Sequence, residues 1–516
     1  MGFVRPRLVN LVRLVWLLLV AWYELGIFYS HTSSCPWPDK PLQTSTTPAT
    51  LPTHVLVVAD PQILDHRSYP DRSPWLTRLS QFMVDLNMRK SWRAVLRQGP
   101  QTVVFLGDMM DNGRYAMSDD EYERYFRRFK SIFAADEHLP VYYLPGNHDI
   151  GLGASSPRYQ FSDRAVERYV SHFGALNERT TFGDHTVYMI DAPGLVDEDR
   201  ERAAVGISYA QWAQSRPNRT VAFLQSSAQD ASADPEQPIL LFTHVPLSRP
   251  EGTDCGPLRE RGTIRQGRGL GYQNLLSAQA SLLVLQSLRP AIIFSGDDHD
   301  YCEYVHTVPV SDTKRPSPPL SVPEITVKTF SIAMGIRHPG YQLLSLVPPS
   351  PGRGTPTVAH QPCLLPDQLG IYLNVYIPLI SLTLIVLLAT NARRVLSRHS
   401  SPTRQSGDPA SIPLASPSED DVDHDLPPPS AWRAKAFRHS APYSRTFTFV
   451  FRGQARRLTL SLPALIRSVV RFVWSGGGRE GKARKRAGVG KGLVKDFVEA
   501  AWAPLALFVA IAWWVW

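Results

Sequence analysis

The apolar positions of this chain fall into two kinds. Three long stretches, 11–30, 371–390 and 500–516, are nearly free of charge, while short apolar runs punctuate the polar sequence between the first two. The stretch 371–390 (IYLNVYIPLISLTLIVLLAT) carries no charge and has the roughly 20 residues a bilayer-crossing helix needs. Residues 11–30 hold Arg13 near one end and Glu24 near the other. No clear small-residue cleavage site follows, so this stretch reads as an uncleaved anchor rather than a signal peptide. The third stretch is shorter, and Trp513, Trp514 and Trp516 suit a membrane interface. It reads as a span, with an interfacial helix or hairpin as the other reading.

The short runs have strand length and alternate with helical patterns. Strands are expected at 54–60, 102–107, 141–144, 186–192, 239–243 and 291–295, with 322–333 and 341–347 closing a second sheet. Helices are expected at about 75–98, from Ser118 to about 135, over 160–174 and over 275–288. Ser118 with Glu121 forms a capping box. Residues 193–237 have weak periodicity and read as loop plus short helices. The Gly/Arg-rich segment 251–271 reads as a long loop beside the site, a candidate lid. The fold class is therefore α/β, a β-sandwich flanked by helices, with transmembrane helices added.

Five of the runs end in metal-binding side chains: VLVVADPQ (55–62), VVFLGDMMD (103–111), YYLPGNHD (142–149), LLFTHVPL (240–247) and IIFSGDDHD (292–300). In that order they supply the ligands of a two-metal phosphoesterase, at the carboxyl ends of strands, where open α/β sheets bind ligands. Phosphodiester hydrolysis needs a nucleophilic hydroxide at neutral pH and neutralised phosphoryl oxygens, and two cations supply both. Asp108 is the candidate bridging carboxylate. Asp60, Gln62 and His299 would hold one ion, and Asn147, His244 and Asp297 the other. Asp298, one residue on, is the rival for the Asp297 role. His148 would face the leaving-group oxygen as proton donor or charge stabiliser. Asp111 and Asp149 would orient these groups from behind. Arg249 and His306 are candidate substrate contacts, with a surface arginine and a core histidine as the plain alternatives.

These motifs resemble the calcineurin-like metallophosphoesterases over roughly residues 54–347. HVPLSR (244–249), Cys255, SGDDHDYCEYVH (295–306) and VPEITVKTFS (322–331) narrow the resemblance. The run is similar to a membrane-bound branch that removes ethanolamine phosphate from mannoses of glycosylphosphatidylinositol (GPI) glycans in the secretory pathway. The resemblance implies that substrate class, on a free GPI glycan or a GPI-anchored protein, and a preference for Mn²⁺. Two positions depart from the common pattern: Gln62 stands where D-x-H has histidine, and Asp297 where G-H-x-H has histidine. The site is thereby richer in oxygen, which also favours Mn²⁺ over Zn²⁺ or Cu²⁺.

Charge and cysteine placement set the expected topology. Arg5, Arg7 and Arg13 open the first stretch and Arg393, Arg394 and Arg398 follow the second, so residues 31–370 are expected in the lumen of the endoplasmic reticulum or Golgi. Residues 391–497 carry 20 Lys and Arg against 8 Asp and Glu; the chain's net +9 thus resides in this tail. That argues against nucleic-acid binding by the catalytic part. All four cysteines lie in the expected luminal segment. Cys255–Cys302 beside the site and Cys35–Cys363 near the membrane are the favoured pairs, against four free thiols. Asn218 heads the one N-x-S/T sequon.

The expected order is an anchor (1–30), a stalk (31–53), the catalytic domain (54–347), a Pro-rich connector (348–370), the second span (371–390), a basic region (391–499) and the third span (500–516). Within the basic region, 398–430 reads as disordered, 462–474 as an amphipathic helix or a packed element, and 481–492 as a basic linker able to meet lipid head groups. Two functions stand beside the GPI phosphodiesterase: a luminal phosphoesterase on another ester, and a non-catalytic membrane scaffold with a degenerate site. The sequence says nothing about oligomeric state.

Overall fold

A computed structural model describes residues 4–42, 51–152, 161–233, 237–269, 271–308, 319–349, 356–399, 444–451, 454–461 and 488–516. The region between the first two apolar helices is built on strands β1 (Thr53–Val58), β2 (Thr102–Phe105), β3 (Val141–Tyr143), β4 (Glu178–Phe182), β5 (His185–Ile190) and β6 (Ile239–Thr243). A two-residue hairpin, β7 (Arg268–Gly269) and β8 (Tyr272–Gln273), precedes β9 (Ile292–Ser295), β10 (Cys302–Val308), β11 (Leu320–Thr326), β12 (Gly340–Leu346) and β13 (Val358–Leu364). One sheet has the order β13-β12-β1-β2-β3 and the other β10-β11-β9-β6-β5-β4. The central pairs β1–β2, β2–β3, β5–β6 and β6–β9 are parallel.

Strict alternation explains how the two sheets stack. Val55, Val57, Val104, Leu240, Phe242, Ile292 and Phe294 point into one cluster shared by both sheets. Their neighbours Leu56, Val58, Val103 and Phe105 face the other way, onto Met88, Trp92 and Phe129 of the helices Pro74–Leu96 and Asp119–Ile132. Leu241 and Ile293 likewise meet Leu195, Leu224 and Val284 of helices on the far side. Four layers result, helix–sheet–sheet–helix. Strands buried on both faces read as unbroken apolar runs, which is why VLVV and VVF stand out.

Several boundaries differ from the sequence expectation. Residues 193–237 hold three helices, Ala192–Val205, Tyr209–Ser215 and Thr220–Ala233. The strand at 341–347 lies in the first sheet, between β1 and β13, not in the second. The connector 348–370 contributes edge strand β13, whose Pro362 is tolerated at an edge. The described start of the expected stalk, residues 31–42, is packed rather than free: Trp37 stacks on His54 at 4.1 Å and donates to the Gln98 carbonyl at 2.8 Å. Cys35 is bonded to Cys363, and Cys255 to Cys302.

Among the described residues, three helices are long and apolar enough to cross a membrane: Arg7–Ser33, Gln368–Leu396 and Val489–Val515. The third begins well before residue 500, because KGLVKDFVEA joins it despite its charges. Trp16 Nε1 of the first donates to Thr383 Oγ1 of the second at 3.1 Å, and Arg13 Nε to the Glu499 carbonyl of the third at 2.9 Å. A buried ion pair ties this bundle to the two-sheet region: Glu24 meets Lys90 of the helix Pro74–Leu96 at 2.7 Å, and Tyr376 OH donates to Glu24 at 2.9 Å. Residues 389–492 form a separate unit, in which Ser444–Phe451 pairs antiparallel with Gln454–Ser461. The expected disordered segment, apart from residues 398–399, the helix at 462–474 and most of 481–492 lie outside the described residues.

Candidate metal centre

Three of the five strand-end loops, those after β1, β2 and β9, deliver their side chains from an unusual backbone. Asp60 (φ 48°), Gln62 (37°), Asp108 (56°), Asp297 (62°) and His299 (67°) are left-handed; among the described non-glycine residues only Asp184 and Arg289 share that conformation. Each such position costs on the order of 1–3 kcal/mol and persists where the surroundings impose it. Strain gathered at the ends of β1, β2 and β9 marks loops shaped for a task. Gly146 permits the close approach of the β2 and β3 loops, since a Cβ there would overlap the Asp108 carboxylate.

The ligand atoms of Asp60, Asp108 and His244 lie within 4.8 Å of one another, and all three residues are buried. His244 Nδ1 donates to the Leu106 carbonyl at 2.6 Å. Its Nε2 then faces oxygens on three sides: Asn147 Oδ1 at 3.1 Å, Asp108 Oδ1 at 3.4 Å and Asp297 Oδ1 at 3.5 Å. Asp60 Oδ2 and Asp297 Oδ2 are buried without a hydrogen-bond partner. An imidazole nitrogen among carboxylate oxygens, with two more oxygens orphaned, is a donor set for a cation. Burial pushes the His244 imidazole down, but Asp108, Asp297 and Asp60 outweigh it and raise the ring well above its ordinary value, so a metal ion would take the place of that proton. The residues fit divalent metal.

Electrostatics agree. Burial pushes Asp60 well above the usual carboxylate range, with His244 opposing and Asp108 and Asp297 adding to the rise. Burial also pushes Asp108 up, but His244, His148 and the hydrogen bonds it accepts outweigh this and hold it low. Those bonds come from the His148 N–H at 2.8 Å and Gln62 Nε2 at 2.6 Å. Half-buried His299 is pushed down to about 3, mainly by burial, with His148, Arg261 and His244 adding to the fall. It stays a neutral nitrogen donor.

The surrounding loops are tied by Asp149, which accepts from the backbone N–H of Met109 (3.3 Å), Met110 (3.1 Å) and Gly146 (3.0 Å). His148 Nδ1 donates to the Asp111 carbonyl at 2.6 Å, with the Asp111 carboxylate at 3.5 Å. This fixes the ring and leaves Nε2 as its other proton site. Asp298 is engaged by Arg259 at 2.5 Å, so Asp297 is the residue of the pair that turns to His244.

Two expected substrate contacts sit elsewhere. Arg249 is 2 % exposed and pairs with Glu324 at 3.0 Å. His306 is buried against the same carboxylate at 2.7 Å. Neither faces the surface, because both side chains are held by Glu324, itself buried on β11. Sequence reasoning missed Glu324, although it stands in the quoted run VPEIT. It also missed Thr329, whose hydroxyl donates to the Asp60 carbonyl at 2.8 Å, and Arg114, which donates to the Asn147 and Gly271 carbonyls at 3.2 Å each. No spacing signal marks either one.

Residues 53–301 match the calcineurin-like phosphoesterase family, and the chain carries a metallophosphoesterase domain of that family. Beyond the domain, it is 33% identical over 349 residues to Cell division control protein 1 of Saccharomyces cerevisiae. That match spans 67% of this chain and 65% of the yeast protein, just under two thirds of its length. Metallophosphoesterase 1 of Ailuropoda melanoleuca is 27% identical over 356 residues, 64% of this chain and 81% of that one. Among solved structures, a dimetal phosphatase from Danio rerio is similar at 15% identity and a TM-score of 0.32, over 60% of this chain and 98% of that one. At that score the likeness carries no argument.

Proposed function

We propose that the protein is a metal-dependent phosphodiesterase that removes ethanolamine phosphate from the mannose of a GPI glycan in the endoplasmic reticulum or Golgi. The observation that carries the hydrolase reading is the oxygen shell around His244 Nε2 with its orphaned carboxylate oxygens. The substrate class rests on the resemblance of HVPLSR and SGDDHDYCEYVH to the membrane-bound branch. Asp60, Gln62, Asp108 and His299 would hold one ion, and Asp108, Asn147, His244 and Asp297 the second. The oxygen-rich set favours Mn²⁺. Two bound cations would supply an acidified attacking water and neutralise the phosphoryl charge. His148, held by Asp111, would give the proton from Nε2 to the departing sugar oxygen.

Placement in the lumen is supported by the two disulfides, which persist in oxidising compartments, and by the exposed sequon residue Asn218. The three apolar helices fit a multi-pass bilayer anchor. The Gln62 amide on Asp108 favours a second reading, in which the amide occupies the bridging carboxylate and the chain is a non-catalytic scaffold. Metal content of the purified protein, with hydrolysis of a model phosphodiester and a model phosphomonoester with and without Mn²⁺, separates the readings. Two ions per chain and Mn²⁺-dependent diester turnover support the proposal. Turnover of monoesters alone points to another luminal phosphoesterase, and a folded, metal-free, inactive protein to the scaffold.

A further inference from the structure

The three apolar helices do not close on one another. Among them lies a cavity of about 380 Å³, lined by Trp16, Val20, Ile380, Ala501, Leu505 and, from the catalytic region, Met83. Polar atoms at its wall are already engaged. The Thr383 hydroxyl accepts from Trp16 Nε1, and Tyr376 OH donates to Glu24. A buried water needs two to four polar partners, and this space offers almost none. It is a site for carbon.

What fills it depends on what surrounds it. The outward faces of the same helices expose Leu18, Ile385 and Val509, each 63% accessible, and a bilayer would cover them with hydrocarbon. The apolar surface also continues past Met83 along the helix Pro74–Leu96. There Trp75 is 66% exposed, Leu79 47% and Phe82 36%, at spacings that place them on one face. Phe82 stacks on Trp516 at the end of the third helix, ring centres 5.6 Å apart. The lining therefore runs without a polar break from the bundle to a catalytic-region helix. A space of about 380 Å³ far exceeds the roughly 10–15 Å³ that admits one water, and its apolar lining suits a hydrocarbon chain.

We propose that this cavity is a binding site for one hydrocarbon chain of a membrane phospholipid. It is separate from the metal centre and does not depend on the reaction. The full-length protein, reconstituted in phosphatidylcholine vesicles containing a trace of phosphatidylcholine with a diazirine on one acyl chain, is photolysed and its labelled residues mapped by mass spectrometry. Labelling should concentrate on Val20 and Ala501 over Leu18, Ile385 and Val509. Ala501→Phe should cut the cavity labelling by about tenfold, the effect of 1–2 kcal/mol of overpacking, and leave the outer faces unchanged. Val20→Phe, filling from another helix, serves where Ala501→Phe does not give a cooperative melt. Equal labelling of inner and outer positions that neither variant alters would overturn the proposal. So would an Ala501→Cys variant that oxidises in the same vesicles to a disulfide-linked dimer, since a second copy would then fill the space. No arm reads hydrolysis, so a failure here is distinct from a failure of the phosphodiesterase reading.

Discussion

Two buried charge clusters lie in the sandwich, and they are finished differently. Around Glu324 every oxygen is satisfied: Oε1 accepts from the Leu247 N–H and Ser295 Oγ, and Oε2 meets Arg249 and His306. Around His244, three buried carboxylates share one imidazole, and two carboxylate oxygens have no partner. Burying a carboxylate without compensation is costly, so folding selects the first arrangement and tolerates the second only where a ligand completes it. The contrast separates a structural network from a site with no appeal to sequence motifs.

The largest expected effect breaks the unfinished cluster. Asp108→Ala and Asn147→Ala should each lower Mn²⁺-dependent diester hydrolysis by about 10³-fold or more, while the protein stays folded and membrane-bound. Activity within tenfold of the parent in either purified variant would remove these residues from the catalytic centre.

The finished cluster should respond in the opposite way. Arg249→Ala leaves Glu324 buried with one cation fewer, at a cost of about 3–5 kcal/mol, seen as a drop of roughly 10 °C in melting temperature. Metal content per folded chain should stay at the parent value. A variant that melts normally but loses metal would show that Arg249 serves the centre after all.

That Arg249 reads as a surface or substrate residue in the sequence has a physical reason. Its partner is 75 positions away, on a strand that pairs with β9 in space, and no local pattern reports a tertiary ion pair. The residues that gather at the candidate metal centre were legible for the converse reason. Each sits immediately after an apolar run, so strand and loop are written in one short window, and the parallel order brings the ends together. Edge elements were less legible than central ones: β4 (ERTTF) and β13 (VAHQPCL) are only partly buried and lack a continuous apolar run. The disulfide pairs expected from placement are the pairs in the structure. The inward face of the spans, with Glu24 on Lys90, could not be read from hydropathy.

A smaller effect tests whether the orphaned oxygens await a cation. Mn²⁺ at about 100 times its dissociation constant should stabilise the full-length protein by about 2.7 kcal/mol, and chelation should reverse this. Asp297→Asn removes one buried charge without a change of shape. In the metal-free protein it should raise the melting temperature slightly, and it should shrink the Mn²⁺ increment. Equal increments in parent and variant would place the bound ion elsewhere.

The subtlest difference between the clusters is one of pH. Burial raises the Glu324 carboxyl, but Arg249, His306 and Ser295 outweigh it and hold the group below its ordinary value. A carboxylate held low stabilises the fold above its unfolded pKa, about 4.3, and loses that contribution as pH falls through the lower folded value. Glu324→Gln should therefore be less stable than the parent from pH 5 to 7, and the gap between their melting curves should narrow below about pH 4.3. If the gap stays constant down to pH 3, the Glu324 charge contributes nothing, and the network is held by packing and neutral hydrogen bonds alone.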